Sequence, residues 1–222
     1  FQEYMNDSRA PRTPEERQET EGLAKVFEAI GLDGDDLIRD RARRHPTFFL
    51  RCHWENHPEL WALKRFGEIT GKVLDFGCGS GHLTVMAAES GYIIDGVDEL
   101  DSAIAVAWHV SDTSYADRPP QFWQADVTKN SAKVQYDSVW ASHVFEHIKD
   151  PTDVFAGLRK WVKPEGHILI AVPFGDAYPD PSHVHRWIDL KEFEDFFSPW
   201  LDFQYGEIDM NSGCIRALFQ FK

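Results

Sequence analysis

The pattern of hydrophobic positions changes near residue 70 of the chain. After that point, short apolar runs of strand length alternate with segments whose apolar residues recur at helical spacing. Strands are predicted at 73–76, 92–97, 121–125, 137–141, 167–172, 203–208 and 215–221. Helices are predicted at 83–89, 102–109, 151–162 and 190–197. The third of these helices extends to Val162 because Leu158, Trp161 and Val162 continue its apolar spacing.

This alternation of strand and helix favours an α/β fold. It predicts a doubly wound, mainly parallel seven-stranded sheet, in which the last two strands form an antiparallel C-terminal pair. The segment before residue 70 carries helical patterns alone, predicted at 14–30, 39–44 and 58–66. Thr13 followed by Pro14 is typical of a helix N-terminus, and Gly31 is typical of a helix end. We therefore divide the chain into a helical cap at 1–70 and an α/β domain at 71–222.

Charged and aromatic residues of the cap each allow two interpretations. The arginines of its second helix form either a solvated face or a docking surface for an anionic substrate. These are Arg39, Arg41, Arg43 and Arg44. Its aromatic side chains either pack in the core, as such residues usually do, or wall a substrate pocket. These are Phe48, Phe49, Trp54 and Trp61.

Composition narrows the class of function. The 222 residues include 37 acidic and 23 basic side chains, so the formal charge is −14. Proteins that bind a phosphate backbone usually carry a basic surplus, so we expect no nucleic acid partner. The longest apolar run, 168–174, contains Pro173 and is far shorter than the roughly 18 residues that cross a bilayer, so no membrane contact is expected. Three widely spaced cysteines fit a reducing compartment, and the expected location is the cytoplasm.

The most informative segment is the glycine-rich turn that follows the first strand. Residues 73–81 have the sequence V-L-D-F-G-C-G-S-G, which leads from a strand through glycines into a helix. Such a turn lies at the carboxyl edge of the sheet, where α/β folds bind ligands, and its glycines let the backbone approach a ligand closely. The dinucleotide-binding pattern requires glycine or alanine at position 82, which is His82 here.

With this turn the chain resembles the class I S-adenosylmethionine-dependent methyltransferases, whose first motif is V-L-D-x-G-C-G-x-G. The resemblance extends over residues 71–222 and implies S-adenosylmethionine as the cofactor. It implies that Asp98, at the end of the second strand, binds both ribose hydroxyls, since a carboxylate accepts two hydrogen bonds at once. Asp126 would accept from the adenine amino group, with Val127 beside the ring. The implied cofactor residues are Asp75, Gly77, Gly79, Gly81, Asp98, Asp126, Val127 and Ser142.

Three alternatives to this interpretation stay open. Each acid could instead cap a helix or a turn, where Asp is common. A nicotinamide-dependent dehydrogenase shares the same strand–helix–strand unit, but neither Tyr115 nor Tyr136 has the lysine four residues later that such an enzyme would use. A catalytically silent relative would bind the cofactor without transferring a methyl group.

The segment after the fourth strand bears on the methyl acceptor. Glu146, His147, Asp150 and Pro151 form an E-H-x-x-D-P run, which is similar to the branch of the family that acts on small molecules. Enzymes that methylate DNA bases show a Pro-Pro-aromatic run here or a Pro-Cys pair to attack cytosine, and the chain has neither. We expect the substrate to be a small molecule or a sugar that is methylated on a hydroxyl group. The alternative is a small amine that is methylated on nitrogen.

A hydroxyl acceptor must lose its proton to a general base or a metal-bound group, whereas an amine needs only to be neutral. His143, Glu146 and His147 share one side if their segment is helical. The cluster is similar to the E-x-x-E-H cluster of ubiquinone-pathway O-methyltransferases, which binds a divalent ion, although His143 replaces its first glutamate. His183 or His185 would complete a metal site. His147 is the leading catalytic base, with His143 beside it, and the open alternative is that the cluster only braces its loop.

Overall fold

The computed structural model describes residues 13–32, 36–132 and 134–222. Two parts of the predicted cap, 1–12 and 33–35, lie outside the described residues. Within the part that is described, no helix is long and apolar enough to cross a membrane.

A seven-stranded sheet forms the centre of the fold over the described ranges. Its strands are β1 (Lys72–Phe76), β2 (Ile93–Asp98), β3 (Phe122–Gln124), β4 (Tyr136–Ser142), β5 (Val162–Pro173), β6 (Leu201–Asp209) and β7 (Cys214–Phe221). The strand order is β3-β2-β1-β4-β5-β7-β6. Strands β1 to β5 pair in parallel, whereas β7 is antiparallel to β5 and to β6. The predicted fold class and the antiparallel C-terminal pair are therefore confirmed.

Helices surround this sheet, and several of them begin at a residue whose side chain caps the helix. They are α1 (Pro14–Ile30), α2 (Leu37–Arg44), α3 (Pro58–Arg65), α4 (His82–Glu89), α5 (Asp101–Asp112), α6 (Thr152–Leu158) and α7 (Leu190–Phe197). At the start of α1, the backbone N–H of Glu16 donates to the Thr13 hydroxyl, and the Thr13 N–H donates back to the Glu16 carboxylate. This reciprocal pair satisfies N–H groups that a helix start leaves free. The helix ends at Gly31, whose φ is +67°.

The prediction for the end of α6 was wrong. The helix stops at Leu158, and β5 already begins at Val162, several residues before the predicted strand. Val162 pairs with Tyr136 of β4, and the Tyr136 N–H donates to the Trp161 carbonyl at 2.8 Å. Trp161 and Val162 are buried as the helical interpretation required, but strand pairing satisfies the backbone there. Apolar spacing alone could not separate these two cases.

The core lies on both faces of the sheet. On one face, α6 and α7 supply phenylalanines, and Phe193 and Phe197 of α7 pack their rings against Phe219 of β7. On the other face, α1 packs against α5, and Leu23 and Phe27 of α1 are buried in the same cluster as α5. The cap is therefore packed onto the α/β domain through an apolar interface.

Candidate active site

The carboxyl ends of the central strands open into one cavity of about 960 Å³. One set of its lining residues, here called the cofactor side, comprises Asp75, Gly77, Gly79, Asp98, Asp126, Val127 and Ser142. A second set, here called the acceptor side, comprises Glu59, His143, Glu146, His147, His183 and Cys214. Residues predicted to bind a cofactor and residues predicted to handle a proton therefore face the same space.

The glycine turn is held in shape by its own backbone and by Asp98. The N–H groups of Gly77 and Cys78 donate to the Val97 carbonyl at 2.9 and 3.1 Å, and the Gly79 N–H donates to the Asp98 carboxylate at 2.9 Å. Gly77 has φ +73°, and a Cβ there would lie 2.5 Å from a Val144 methyl group. Glycine is therefore required at this position on two counts, conformation and space.

Gly79 and Gly81 differ in their positions. A Cβ on Gly79 would have no neighbour within 4 Å in the described structure, and Gly79 lines the cavity. Gly81 instead caps the start of α4 with φ +75°, where a Cβ would meet Ala107 of α5 at 2.7 Å. The structure thus places Gly79 at the cavity and uses Gly81 to turn the chain into the helix.

His82, which departs from the dinucleotide-binding pattern, is almost fully buried. One ring nitrogen lies 3.0 Å from the Ser80 hydroxyl and the other lies 2.6 Å from the Phe49 carbonyl of the cap, while the ring stacks on Trp54 at 5.3 Å. Burial lowers the pKa of His82 to about 4, so the ring is neutral at physiological pH. His82 therefore fixes the glycine turn to the cap. Apart from the broken pattern, nothing in the sequence indicated this role.

The acids of the cofactor side sit in different surroundings. Asp75 is buried, accepts a 2.6 Å hydrogen bond from the Thr84 hydroxyl, and has its pKa raised to about 7 by burial. Asp98 accepts from the N–H groups of Gly79 and Leu100, both at 2.9 Å, and burial raises its pKa. Both acids line the cavity near the turn, where the resemblance implies that Asp98 binds the ribose hydroxyls of the cofactor.

Asp126 fits both of its interpretations at once. Its carboxylate accepts from the Thr128 N–H and hydroxyl and pairs with Lys129 at 2.7 Å. Hydrogen bonds from Lys129 and Thr128 lower its pKa to about 2. It therefore closes a turn, as the alternative stated, and it also lines the cavity beside Val127.

Three residues of the predicted proton-handling cluster converge on the acceptor side. The segment is a single 3-10 turn, Phe145–His147, and not the α-helical segment that the spacing required. Ligand atoms of Glu146, His147 and His183 nevertheless lie within 4.8 Å of one another. Glu146 is fully buried, its Oε1 has His143 Nδ1 3.3 Å away, and its Oε2 has no hydrogen-bond partner among the described residues. We call these three residues the Glu146 group.

His143 was predicted to join this group, and the structure places it in a different one. Its ligand atoms group with Glu59 and Cys214 instead, again within 4.8 Å. Its Nδ1 lies 3.3 Å from Glu146 Oε1 and its Nε2 lies 3.9 Å from Cys214 Sγ. Burial lowers its pKa, but the contacts with Cys214 and Glu146 outweigh burial and raise the pKa to about 10. His143 also has φ +57°, a conformation that is unusual for a residue with a side chain.

His185, the other candidate ligand from the loop after β5, is turned away from the cluster. Its Nε2 lies 3.0 Å from the Ile148 carbonyl and 3.2 Å from the Lys149 carbonyl, and its ring stacks on Trp187 at 5.2 Å. It fastens this loop to the 3-10 turn. His183 is therefore the loop histidine that reaches the Glu146 group.

The cap contributes more to the cavity than the sequence indicated. Glu59 of α3 is fully buried and pairs with the buried Arg216 of β7, whose Nε and Nη2 lie 2.9 and 2.5 Å from Glu59 Oε1. The sequence did not indicate a role in the site for Glu59, Arg216 or Cys214. Glu59 and Arg216 are 157 residues apart, so no local pattern connects them.

The cap residues that allowed two interpretations lie in different surroundings. Phe48 and Trp54 line the cavity, Phe49 is buried in the core, and Trp61 is 67% exposed outside the cavity. Arg41 lines the cavity with its guanidinium 4.4 Å from the Phe48 ring centre. Arg39 and Arg44 instead pair with Asp36 and Asp40, respectively.

Comparison with known proteins agrees with this geometry. The family described as "Methyltransferase domain" matches residues 43–205. Ubiquinone biosynthesis O-methyltransferase of Photorhabdus laumondii is 31% identical over 167 residues, which cover 73% of this chain and 65% of that protein. The enzyme of the same name from Pseudomonas aeruginosa is 31% identical over 112 residues, or 50% and 48% of the two chains. The chain thus spans about half to two thirds of the length of these curated relatives.

Solved structures share the fold. A SAM-dependent methyltransferase from Aquifex aeolicus superimposes with a TM-score of 0.62 at 16% identity, covering 90% of this chain and 98% of that one. A glycopeptide N-methyltransferase complexed with S-adenosylmethionine gives 0.61 at 15% identity, covering 74% and 93%. At these identities the likeness concerns the fold and not the substrate.

Proposed function

Because the chain belongs to the class I S-adenosylmethionine-dependent methyltransferase family, we propose that it transfers the methyl group to a hydroxyl of a small molecule. The observation that carries the proposal is that the glycine turn, Asp98 and the Glu146 group all line the same cavity. The similarity to ubiquinone biosynthesis O-methyltransferases supports a hydroxyl acceptor.

The cofactor side fits S-adenosylmethionine in its shape and its polar groups. Open space above Gly79 leaves room for a ligand to approach the backbone of the turn. The buried hydroxyl of Ser142 lacks a hydrogen-bond partner within the described residues and lines the cavity, so it is available to the ligand. In this proposal Asp98 binds the ribose hydroxyls, and Asp126 and Val127 hold the adenine. The sulfonium of the bound cofactor supplies the methyl group and its leaving group.

The proton of the acceptor hydroxyl is assigned to His147. The Ser182 hydroxyl donates to Asp180 at 2.6 Å, so its oxygen is free to accept from Nδ1–H of His147 at 3.0 Å. This tautomer leaves the Nε2 lone pair on the side of Glu146 Oε1, 3.9 Å away. Two electron-rich atoms facing each other favour a proton or a cation between them. An acceptor hydroxyl placed there would donate to Nε2, which makes His147 a general base.

The three side chains of the Glu146 group also suit a divalent ion. One carboxylate and two imidazoles form the N/O donor set of a first-row transition metal, and the buried Oε2 of Glu146 lacks a hydrogen-bond partner in the part of the chain described. Glu146, His147 and His183 would hold the ion, which when bound would lower the pKa of the acceptor hydroxyl. Stripping metal with a chelator separates the cases: activity is lost if the ion is required and kept if His147 acts alone.

A small amine is the second candidate acceptor. The buried carboxylate of Glu146 faces the cavity, and a negative group there would attract a cationic amine. An amine reacts only in its neutral form, however, and Glu146 would hold it as the cation. This favours the hydroxyl acceptor over the amine.

Transfer of a labelled methyl group to panels of small phenols, sugars, amines, tRNA and DNA tests the proposal. We expect label in a hydroxyl compound, with S-adenosylhomocysteine formed in equal amount. Label in tRNA or DNA alone would overturn the small-molecule acceptor. Cofactor binding with no transfer to any panel would favour the catalytically silent alternative.

A further inference from the structure

A second set of potential ligands lies beside the Glu146 group, and it combines three kinds of donor. Glu59 comes from α3 of the cap, His143 follows β4, and Cys214 begins β7. Their ligand atoms lie within 4.8 Å of one another, and all three residues line the cavity. We call these residues the Cys214 cluster. A carboxylate, an imidazole and a thiol from three separate elements are a donor set that zinc accepts.

His143 is oriented as a ligand would be. Its Nδ1 lies 3.3 Å from Glu146 Oε1, a buried carboxylate that can accept Nδ1–H. That contact directs Nε2 to Cys214 Sγ, 3.9 Å away. Metal-binding histidines usually donate their other ring N–H to a carboxylate, which fixes the tautomer and the ring. The positive φ of His143, +57°, is a strained conformation of the sort that clusters at functional sites.

Glu59 supplies an independent indication. Its Oε1 accepts from Nε and Nη2 of Arg216 at 2.9 and 2.5 Å. Glu59 is fully buried, and its Oε2 has no hydrogen-bond partner among the residues the structure describes. Leaving a buried carboxylate oxygen unsatisfied is costly, and a cation in the Cys214 cluster would satisfy it. Arg216 would then orient the ligand carboxylate from behind, as outer-shell hydrogen bonds commonly do.

Cys214 completes the set as a free thiol that is 2% exposed. A thiol binds metal after losing its proton to solvent, and thiolate favours zinc over magnesium or calcium. We propose that Glu59, His143 and Cys214 bind one zinc ion, whose fourth position is open to the acceptor side of the cavity. This site is distinct from the Glu146 group, and Glu146 would contribute to it only as the hydrogen-bond partner of His143. It does not depend on the identity of the methyl acceptor.

Cobalt substitution of the purified full chain tests this site directly, because a thiolate ligand gives cobalt(II) an intense charge-transfer band in the near ultraviolet. We expect the metal-stripped protein to take up zinc or cobalt, and the cobalt form to show this band. The band should be lost in Cys214→Ser and kept in the matched control Cys78→Ser, since Cys78 lies in the glycine turn. A band that survives in Cys214→Ser, or a folded wild type that binds neither metal, would overturn the proposal.

Two further variants keep the test decisive if Cys214→Ser does not fold. Glu59→Gln should keep the band but lower zinc affinity at least about tenfold, the scale seen when groups that hold a metal are changed. His183→Ala, in the Glu146 group, should leave both the band and the zinc affinity unchanged. A different outcome would be cobalt uptake that shows no thiolate band and is lost in His183→Ala. That outcome would place the metal in the Glu146 group and contradict the Cys214 cluster. Cofactor titration on the same samples separates this outcome from failure of the methyltransferase proposal.

Discussion

On the cofactor side of the cavity, most polar groups are paired within the protein. Asp98 accepts from two backbone N–H groups and Asp75 accepts from Thr84. On the acceptor side, Glu59 and Glu146 each bury a carboxylate oxygen, Oε2, that lacks a hydrogen-bond partner among the described residues. The cofactor side is thus shaped before a ligand arrives, whereas the acceptor side holds unsatisfied carboxylate oxygens that a proton, a cation or a substrate would satisfy. Variants on the two sides should therefore affect different steps.

The largest effect is expected from His147→Ala, which removes the proposed base from the acceptor side. Methyl transfer to a hydroxyl should slow by about 10²–10⁴-fold, the usual contribution of a positioned base. Turnover at saturating cofactor is the measurement, and cofactor affinity should not change. Ser182→Ala is the matched control: it leaves Nε2 in place but removes the group that sets the tautomer, so a smaller loss is expected. Full activity in His147→Ala would show that the Glu146 group has only a structural role.

The next effect belongs to the cofactor side. Asp98→Ala should weaken S-adenosylmethionine binding by about 1.5–3 kcal/mol, the scale of lost charged hydrogen bonds. Titration calorimetry measures this change. Asp98→Asn keeps one side-chain acceptor and should lose less affinity. An Asp98→Ala protein that binds the cofactor as tightly as the wild type would remove Asp98 from the ribose site.

The junction of the cap and the glycine turn should be sensitive to His82. His82→Ala removes a buried ring that stacks on Trp54 and deprives the Phe49 carbonyl of its partner. The free energy of unfolding should fall by about 3 kcal/mol, from lost packing and a lost buried hydrogen bond. Denaturant titration measures it, with the exposed His53→Ala expected to change stability by less than about 0.5 kcal/mol. Equal effects of the two substitutions would show that His82 does not fasten the cap.

The smallest effect is a pH dependence of the same junction. The pKa of His82 is lowered by burial from 6.5 to about 4 in the folded protein. Between these two pH values the unfolded chain binds more protons at His82 than the folded protein does. The stability that neutral His82 contributes is therefore fully present above pH 6.5 and is lost as the pH falls towards 4. From pH 7 to pH 5 the loss should be about 2 kcal/mol. It is measured as the difference between wild type and His82→Gln, and parallel pH profiles would contradict it.

What the sequence predicted well is local in the chain. The fold class followed from the alternation of strands and helices, and the glycine turn follows its strand directly. The acceptor side depends on contacts between distant segments, so a motif located Glu146 and His147 but not Glu59. The pairing of His143 with Cys214 joins residues 71 positions apart. The error at α6 has a similar cause, since pairing with β4 decided the conformation of Val162.

The central claim is that one cavity holds separate sets of residues for cofactor binding and for proton removal. Single-turnover methyl transfer at saturating S-adenosylmethionine, measured for wild type, Asp98→Ala and His147→Ala with one hydroxyl acceptor, tests it most directly. We predict that Asp98→Ala regains a rate close to that of the wild type once its weaker binding is saturated, and that His147→Ala stays slow at every cofactor concentration. A His147→Ala rate that cofactor restores, or an Asp98→Ala rate that saturation does not restore, would contradict the account.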